Sequence, residues 1–260
     1  MEAEILYAEK ELNGGMWAEI TLNRPLKGNA LTLAMLDELE RLAAHLRQSK
    51  EVRAVVLKGN GRFFCTGGDI AAWGSLTATE MGQLWILRGM EVLDSIASLP
   101  QPVIVAIGGH ALGGGVELAL AADLRVAVRS AKLGVPEVGL GMIAGWGGVR
   151  KLAETVGVTR ARQMTLLGSP ITAPEAEAWG LLTAVVDDGA ALDDQVARWL
   201  QVLLYNAPIA MAVTKGLLKT MHADMRQAFA SAAAHAAGTE DCREGVRAFQ
   251  EKRKPVYRNK

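Results

Sequence analysis

Half of the glycines of this 260-residue chain are gathered in three clusters, and each cluster follows a short β-rich run. The clusters lie within residues 59–68, 108–115 and 139–148, in a chain that holds 28 glycines in all. Glycine permits left-handed turns and close backbone contact. The pattern therefore predicts that the backbone closely approaches another group at the ends of several strands.

Hydrophobic patterning predicts the order of the elements. Asn13-Gly14-Gly15 indicates a hairpin turn, and Thr32 is a plausible N-cap for the first helix. Strands are predicted around residues 5–9, 17–22, 53–57, 103–107, 124–128, 132–135 and 182–186, helices over 32–47, 79–99 and 112–122, and an almost entirely helical stretch from residue 146. This order predicts an α/β fold, with a core over 1–190 and a C-terminal helical region over 191–260.

Composition excludes several classes of protein. The chain carries 28 basic and 28 acidic residues and is 50% hydrophobic, which predicts a folded protein without general affinity for nucleic acid or anionic membranes. The two cysteines do not form a disulfide framework, the N-terminal residues do not resemble a signal peptide, and no membrane span is expected. We therefore expect a cytoplasmic protein.

Familiar cofactor and nucleophile motifs are missing from the sequence. It contains no G-x-x-x-x-G-K-[ST] phosphate loop and no G-x-S-x-G nucleophile elbow, and its first β–α turn lacks G-x-G-x-x-G. The four histidines are far apart and show no metal-ligand spacing with one another or with the cysteines. These patterns predict no metal site and disfavour a nicotinamide oxidoreductase.

Three glycine-rich segments carry the chemistry that remains. Gly113-Gly114-Gly115 opens a predicted helix that holds Glu117, and the TGGD segment at 66–69 presents a second bare stretch of backbone. Two N–H donors from separate loops are what an oxyanion hole requires. Glu137, in a third loop, supplies a second carboxylate, so that acid and base roles could be divided. The alternative is structural: glycines that allow tight packing, a helix-favouring Glu117 and a surface-loop Glu137.

Several runs resemble the crotonase superfamily, the enoyl-CoA hydratase/isomerase family. They are ITLNRPLKGNALT (Ile20 to Thr32), FFCTGGDI (Phe63 to Ile70), HALGGGVELALAADLRVA (His110 to Ala127) and LGVPEVGLGMIAGWGGVRKL (Leu133 to Leu152). The similarity continues through residues 168–186 to 244–257, so it covers nearly the whole chain in the family's order and spacing.

The resemblance implies a fold, a substrate and an assembly. The fold is a crotonase spiral of stacked ββα units followed by a C-terminal helical trimerisation region. The substrate is an acyl-CoA thioester, and no metal or redox cofactor is implied. The implied protein partners are further copies of the same chain, in a homotrimer or in a hexamer built as a dimer of trimers.

The resemblance also implies roles for individual residues. The amides of Gly68 and Gly114 would hold the thioester oxygen, and Glu117 and Glu137 correspond to the hydratase glutamates. Further CoA contacts are implied for the residues after the first donor and for the C-terminal helix: Asp69, Ile70, Ala71, Phe249 and Lys252.

The sequence departs from the family pattern at three positions. Gly68 stands where alanine is commoner, which we expect to keep the N–H and loosen the loop, and Ala71 replaces a lysine found in some hydratases. Trp146 replaces an alanine, and it lies either at the acyl end or in ordinary core. Residues 72–88 are predicted to shape the acyl pocket, and His110 is predicted to pack beside the site without acting in catalysis.

Three functions follow as hypotheses, and a specialised dehydratase acting on a modified acyl-CoA stays open beside them. Retention of both glutamates favours an enoyl-CoA hydratase, in which water adds across the 2,3-double bond. The nearest rival is a Δ3-Δ2-enoyl-CoA isomerase, which needs only one carboxylate to move a proton. A non-catalytic or RNA-binding member is the third, supported only by the basic residues near the C-terminus.

Overall fold

The structure is a computed structural model that describes residues 3–219 and 239–260. A six-stranded sheet has the order β1-β2-β3-β5-β7-β10, and a four-stranded sheet has the order β4-β6-β8-β9. The strands are β1 (Ile5–Leu12), β2 (Gly15–Leu22), β3 (Val52–Gly59), β4 (Phe63–Cys65), β5 (Val103–Ile107), β6 (His110–Leu112), β7 (Leu124–Val128), β8 (Lys132–Gly134), β9 (Ile171–Thr172) and β10 (Ala184–Val186).

The chain passes from the large sheet to the small sheet three times. β3 leads to β4, β5 to β6 and β7 to β8, and within each sheet these strands pair in parallel. β1 and β2 form the predicted antiparallel hairpin at one edge. Each turn of the chain thus adds one strand to both sheets. The predicted α/β architecture of stacked ββα units is confirmed.

The helices fill the spaces between these turns and follow them. They are α1 (Leu33–Gln48), α2 (Ile70–Trp73), α3 (Ala78–Glu80), α4 (Leu87–Ala97), α5 (Gly114–Ala119), α6 (Gly148–Val156), α7 (Val158–Leu167), α8 (Ala173–Ala178), α9 (Gly189–Tyr205), α10 (Pro208–Lys219) and α11 (Glu240–Gln250). The hydroxyl of Thr32 accepts from the N–H of Met35, 3.2 Å away, as expected for the N-cap of α1. A π-helical segment, Met81–Ile86, joins α3 to α4.

The helix predicted over 112–122 is wrong at its start. Residues 110–112 form β6, and the helix proper covers only Gly114–Ala119. Gly113 separates the two, because it adopts φ +55° and its N–H donates to the carbonyl of Gly134 at 2.8 Å. Pairing between β6 and β8 therefore overrides the helical pattern of the sequence.

The buried core continues into the first helix of the C-terminal region. Leu192, Val196, Leu200 and Leu204 of α9 are buried in the same apolar cluster as the large sheet. None of the residues of α10 is buried within the described part of the chain. The division near residue 190 stays a prediction, and residues 220–238 of the predicted helical stretch lie outside the described residues.

Within residues 3–219 and 239–260, no single helix has the length and apolar character needed to cross a membrane. α9 and α10 meet these criteria only when taken together, and they are bent by 108° relative to each other.

Candidate active site

The carboxyl ends of β4, β6 and β8 meet at one edge of the small sheet, and three loops leave the sheet there. A cavity of about 100 Å³ opens between them. It is lined by Thr66, Gly67, Gly68, Ile70, Trp73, Trp85, Ile86, Gly113, Gly114, Glu117, Pro136, Glu137, Leu140, Met142, Ile143, Gly145 and Trp146. The parallel register of the three strands thus brings together both predicted amide donors and both predicted carboxyls.

The backbone of Gly68 is oriented by a β-bridge to Leu31. The N–H of Leu31 donates to the carbonyl of Gly67, and the N–H of Asp69 donates to the carbonyl of Leu31, each at 2.8 Å. Peptide groups alternate in direction along extended backbone, so the N–H of Gly68 points away from Leu31. Among the described residues this N–H has no acceptor.

Gly114 supplies the second amide. It is the first residue of α5, where a helix has no internal acceptor for the N–H group. A Cβ built on Gly67 would lie 2.9 Å from the nitrogen of Gly114, so the two loops touch through bare backbone. Two unsatisfied N–H groups beside one cavity can hold the oxygen of a polarised carbonyl.

Glu117 lies one turn into α5 and is only 3% exposed. Its Oε1 accepts from the N–H of Gly148, the first residue of α6, at 2.7 Å. A Cβ on Gly148 would lie 2.3 Å from Cγ of Glu117, so only glycine permits this contact. Burial raises the pKa of Glu117 to about 7, and the nearby negative charge of Glu137 adds to this shift.

Glu137 begins a short 3₁₀ helix, Glu137–Leu140, directly after β8 and Pro136. A Cβ on Gly113 would lie 2.7 Å from its Oε1, which brings this carboxyl against the loop that carries Gly114. Its Oε2 is buried and has no hydrogen-bond partner among the described residues. Burial raises the pKa of Glu137 as well. The surface-loop interpretation of Glu137 is therefore wrong.

The implied CoA contacts are only partly gathered at the cavity. Ile70 lines it and is 54% exposed. Asp69 instead forms an ion pair with Arg24 at 2.9 Å and accepts from the N–H of Ala71 at 3.0 Å. Neither Asp69 nor Ala71 is among the cavity-lining residues.

The structure does not test the CoA contacts implied for the two residues near the C-terminus. Lys252 is exposed in the turn after α11 and is not among the cavity-lining residues. Phe249 belongs to α11, and its side chain lies outside the described residues. The CoA-binding roles of both stay predictions.

Three tryptophans line the site, and the motifs had singled out only Trp146 among them. Trp73 and Trp85, both within the segment predicted to shape the pocket, line the cavity, and so does Trp146. Trp146 is 3% exposed, so the two interpretations of it, pocket wall and core, both hold. A Cβ on Gly68 would lie 2.5 Å from Cζ2 of Trp85, so the glycine makes room for the indole rather than loosening the loop.

Two other candidate groups lie apart from this chemistry. Nδ1 of His110 accepts from the N–H of Lys132 at 3.1 Å, and its ring packs against Phe63, in agreement with a packing role. Cys65 is fully buried, and burial raises the pKa of its thiol to about 12. Within residues 3–219 and 239–260, no group of three or more histidine, cysteine, aspartate or glutamate side chains could hold a metal ion.

Comparison with known proteins gives consistent matches over nearly the whole chain. The family model described as enoyl-CoA hydratase/isomerase matches residues 13–260. A short-chain-enoyl-CoA hydratase of Clostridium acetobutylicum is 36% identical, over 98% of this chain and 97% of that protein. The mouse mitochondrial methylglutaconyl-CoA hydratase is 33% identical, over 99% of this chain and 83% of that protein. The crystal structure of an enoyl-CoA hydratase from Bacillus anthracis superposes with a TM-score of 0.92 at 33% identity, covering 99% of this chain and all of the other.

Proposed function

Because the chain belongs to the enoyl-CoA hydratase/isomerase family, we propose that it adds water across the 2,3-double bond of an enoyl-CoA thioester. The observation that carries this proposal is that two carboxyls and two amides meet at one small cavity, and that neither amide has an acceptor among the described residues. Hydration needs a base for water, an acid for Cα and a stabilised thioester oxygen, and these four groups supply all three.

The amides of Gly68 and Gly114 hold the thioester oxygen. When water attacks Cβ, the electrons of the double bond move through the carbonyl and charge develops on this oxygen. Donors that are already in place stabilise that charge without reorganisation, and losing one such donor typically costs ~3 kcal/mol of activation free energy. Both donors are backbone groups, so their positions depend on the β-bridge to Leu31 and on the start of α5.

The two glutamates share the proton transfers. Ionised Glu117 takes a proton from the attacking water, and protonated Glu137 delivers a proton to Cα, which yields the 3-hydroxyacyl thioester. The pair shares one proton, and hydration uses the arrangement in which Glu137 holds it. The N–H of Gly148 favours the ionised form of Glu117, and Oε2 of Glu137 has no hydrogen-bond partner among the described residues. Burial raises both pKa values, and such a pair titrates as one unit.

A singly protonated pair is the reactive state under this proposal. After turnover Glu117 holds the proton and Glu137 is ionised, so one proton must pass between them or exchange with solvent before the next cycle. No metal or redox cofactor takes part, since these residues perform every step. We also propose that the working assembly is the homotrimer or dimer of trimers, and that the protein acts in the cytoplasm.

Turnover of two substrates separates this proposal from its nearest rival. A hydratase converts 2-butenoyl-CoA to the 3-hydroxy product, which is followed by loss of the enoyl-thioester absorbance and by mass spectrometry. In deuterium oxide the product should carry deuterium at Cα. If the protein instead converts 3-enoyl-CoA to 2-enoyl-CoA and adds no water to either, the isomerase is the function.

A further inference from the structure

Two indoles pack against the two glycines that supply the amide donors. A Cβ on Gly68 would lie 2.5 Å from Cζ2 of Trp85, and a Cβ on Gly114 would lie 2.6 Å from Cζ3 of Trp146. Both tryptophans are almost fully buried, at 4% and 3% exposure, and both line the cavity. Trp85 and Trp146 together are called the indole wall below.

Contacts on several sides hold the two rings of the indole wall in place, so a ligand does not easily displace them. The two rings lie 5.4 Å apart, and Nε1 of Trp146 donates to the carbonyl of Trp85 at 3.2 Å. A Cβ on Gly89 of α4 would lie 2.2 Å from the same Nε1, so Trp146 sits directly against the backbone of that helix. Moving either ring breaks this hydrogen bond or opens a gap in the core.

The indole wall also leaves little for a polar acyl group to bind. Nε1 of Trp146 is already engaged, and Nε1 of Trp73 donates to the carbonyl of Gly68 at 3.4 Å. Among the described residues, the only charged side chains that line the cavity are the two glutamates. A free carboxylate on the acyl group would therefore lie near the like charge of the glutamates and would find no cation to pair with.

We propose that the indole wall selects a short, uncharged acyl chain, with Trp85 and Trp146 as its specificity-determining residues. The inference rests on the proposed function, because it takes the amides of Gly68 and Gly114 as the anchor of the thioester. An acyl chain held by that oxygen starts beside the indole wall, in a cavity of about 100 Å³. Additional methylenes that extend toward the indole wall must then displace a buried ring.

The test is the chain-length profile of kcat/KM for 2-enoyl-CoA substrates of four, six, eight and ten carbons. The wild type should prefer the four-carbon over the ten-carbon chain by at least ~10-fold, the scale of steric discrimination in an apolar pocket. Trp85→Leu and Trp146→Leu should each lower this ratio by ~10-fold or more. The ratio compares two substrates on one preparation, so partial unfolding of a variant cancels.

The matched control is Trp179→Leu, which removes a half-buried indole that packs on the core and does not line the cavity. Its chain-length ratio should equal that of the wild type. An equal wild-type preference for four and ten carbons overturns the proposal. So does a ratio that Trp85→Leu and Trp146→Leu leave unchanged.

A double variant tests the contact between the indole wall and the first donor. Gly68→Ala keeps the N–H but adds a methyl group where Trp85 lies, so it should lower kcat/KM for the four-carbon substrate by ~10-fold. Trp85→Leu opens that space, and the combined variant should recover activity above that of Gly68→Ala alone. Strictly additive losses overturn the proposed contact.

A binding experiment keeps this proposal separate from the hydratase assignment. Saturated butanoyl-CoA and decanoyl-CoA cannot be hydrated, and their dissociation constants can be measured by calorimetry on the same variants. If no enoyl-CoA is hydrated but butanoyl-CoA still binds more tightly in a Trp146-dependent manner, the function is wrong and the indole wall stands. A dicarboxylic acyl-CoA that binds as tightly as butanoyl-CoA overturns the exclusion of charge.

Discussion

The two glutamates of the cavity are the same residue type in very different surroundings. Glu117 is part of a buried helix and is held by a backbone N–H from another helix. Glu137 begins a 3₁₀ turn whose next residues are exposed, and its Oε2 has no partner among the described residues. The comparison teaches that burial raises the pKa of both carboxyls, whereas the hydrogen-bond donor distinguishes them.

Replacing each glutamate by glutamine should produce the largest effects. Glutamine keeps the shape but cannot exchange a proton, so Glu117→Gln and Glu137→Gln should each lower kcat for hydration of 2-butenoyl-CoA by at least ~10²-fold. The double variant should lose much less than the product of the two single losses, because the residues act as a unit. Steady-state kinetics on the three variants provide the measurement.

One result would contradict the shared role of the two glutamates. If Glu117→Gln keeps nearly normal activity while Glu137→Gln abolishes conversion of 3-enoyl-CoA, only one carboxyl works and the isomerase mechanism is right. Circular dichroism on each variant controls for loss of the fold.

Stability should respond to pH differently in the two variants. Burial raises the pKa of Glu117 from 4.5 to about 7, so the folded protein holds a proton that the unfolded chain releases between these pH values. Stability is therefore fully present below pH ~4.5 and falls as the pH rises through about 7. Glu117→Gln removes this penalty and should raise the free energy of unfolding at pH 8 by up to about 3 kcal/mol.

The same variant provides its own control at low pH. At pH 5 most of the gain should disappear, because the folded wild type keeps its proton there. Glu137→Gln should stabilise less, and it should lower the midpoint of the Glu117 transition, since the charge of Glu137 helps to raise that pKa. Urea titrations at both pH values measure these differences, and an equal gain at both would contradict the assigned pKa.

Much of the site could be predicted from the sequence, because its functional groups belong to residue types that stand out there: glycines that expose backbone N–H groups, and glutamates. Gly68, Gly114, Glu117 and Glu137 lie in glycine-rich loops after short strands, and parallel pairing brings those loops together. The bounds of β5 and β7 agree with the predicted ranges, whereas β1, whose side chains are mostly exposed, extends three residues beyond its predicted end. The family resemblance added the order of the units.

The rest depends on contacts between residues far apart in the chain. The donor to Glu117 is Gly148, 31 residues further along, and no local pattern indicates that α6 begins beside that carboxyl. The helix expected from residue 112 starts later, because Gly113 takes a left-handed φ to pair with the next turn. Likewise, nothing in the sequence around Trp85 and Trp146 reveals that each ring occupies the space left by a distant glycine.

The smallest effect is expected from alanine substitutions at two glycines. One of them lies beside Glu117 and the other lies in the turn that starts at Glu137. A Cβ on Gly148 would lie 2.3 Å from Cγ of Glu117, whereas a Cβ on Gly139, in the turn that starts at Glu137, would meet no atom within 4 Å. Neither glycine has a positive φ, so alanine fits the backbone at both positions. Gly148→Ala must therefore displace the Glu117 side chain relative to the start of α6.

We expect Gly148→Ala to lower kcat by about 10-fold, since catalysis is sensitive to displacements of about 1 Å, and to leave KM for the thioester largely unchanged. Gly139→Ala should stay within about 2-fold of the wild type in both, because it adds a methyl group to open space. The hydrogen bond from Gly148 lowers the pKa of Glu117, so the acid limb of the pH–rate profile of Gly148→Ala should also move to higher pH as Glu117 loses this donor. Equal losses in the two variants would mean that the start of α6 at Gly148 positions no group that the reaction uses. The hydrogen bond from Gly148 would then not distinguish the role of Glu117 from that of Glu137.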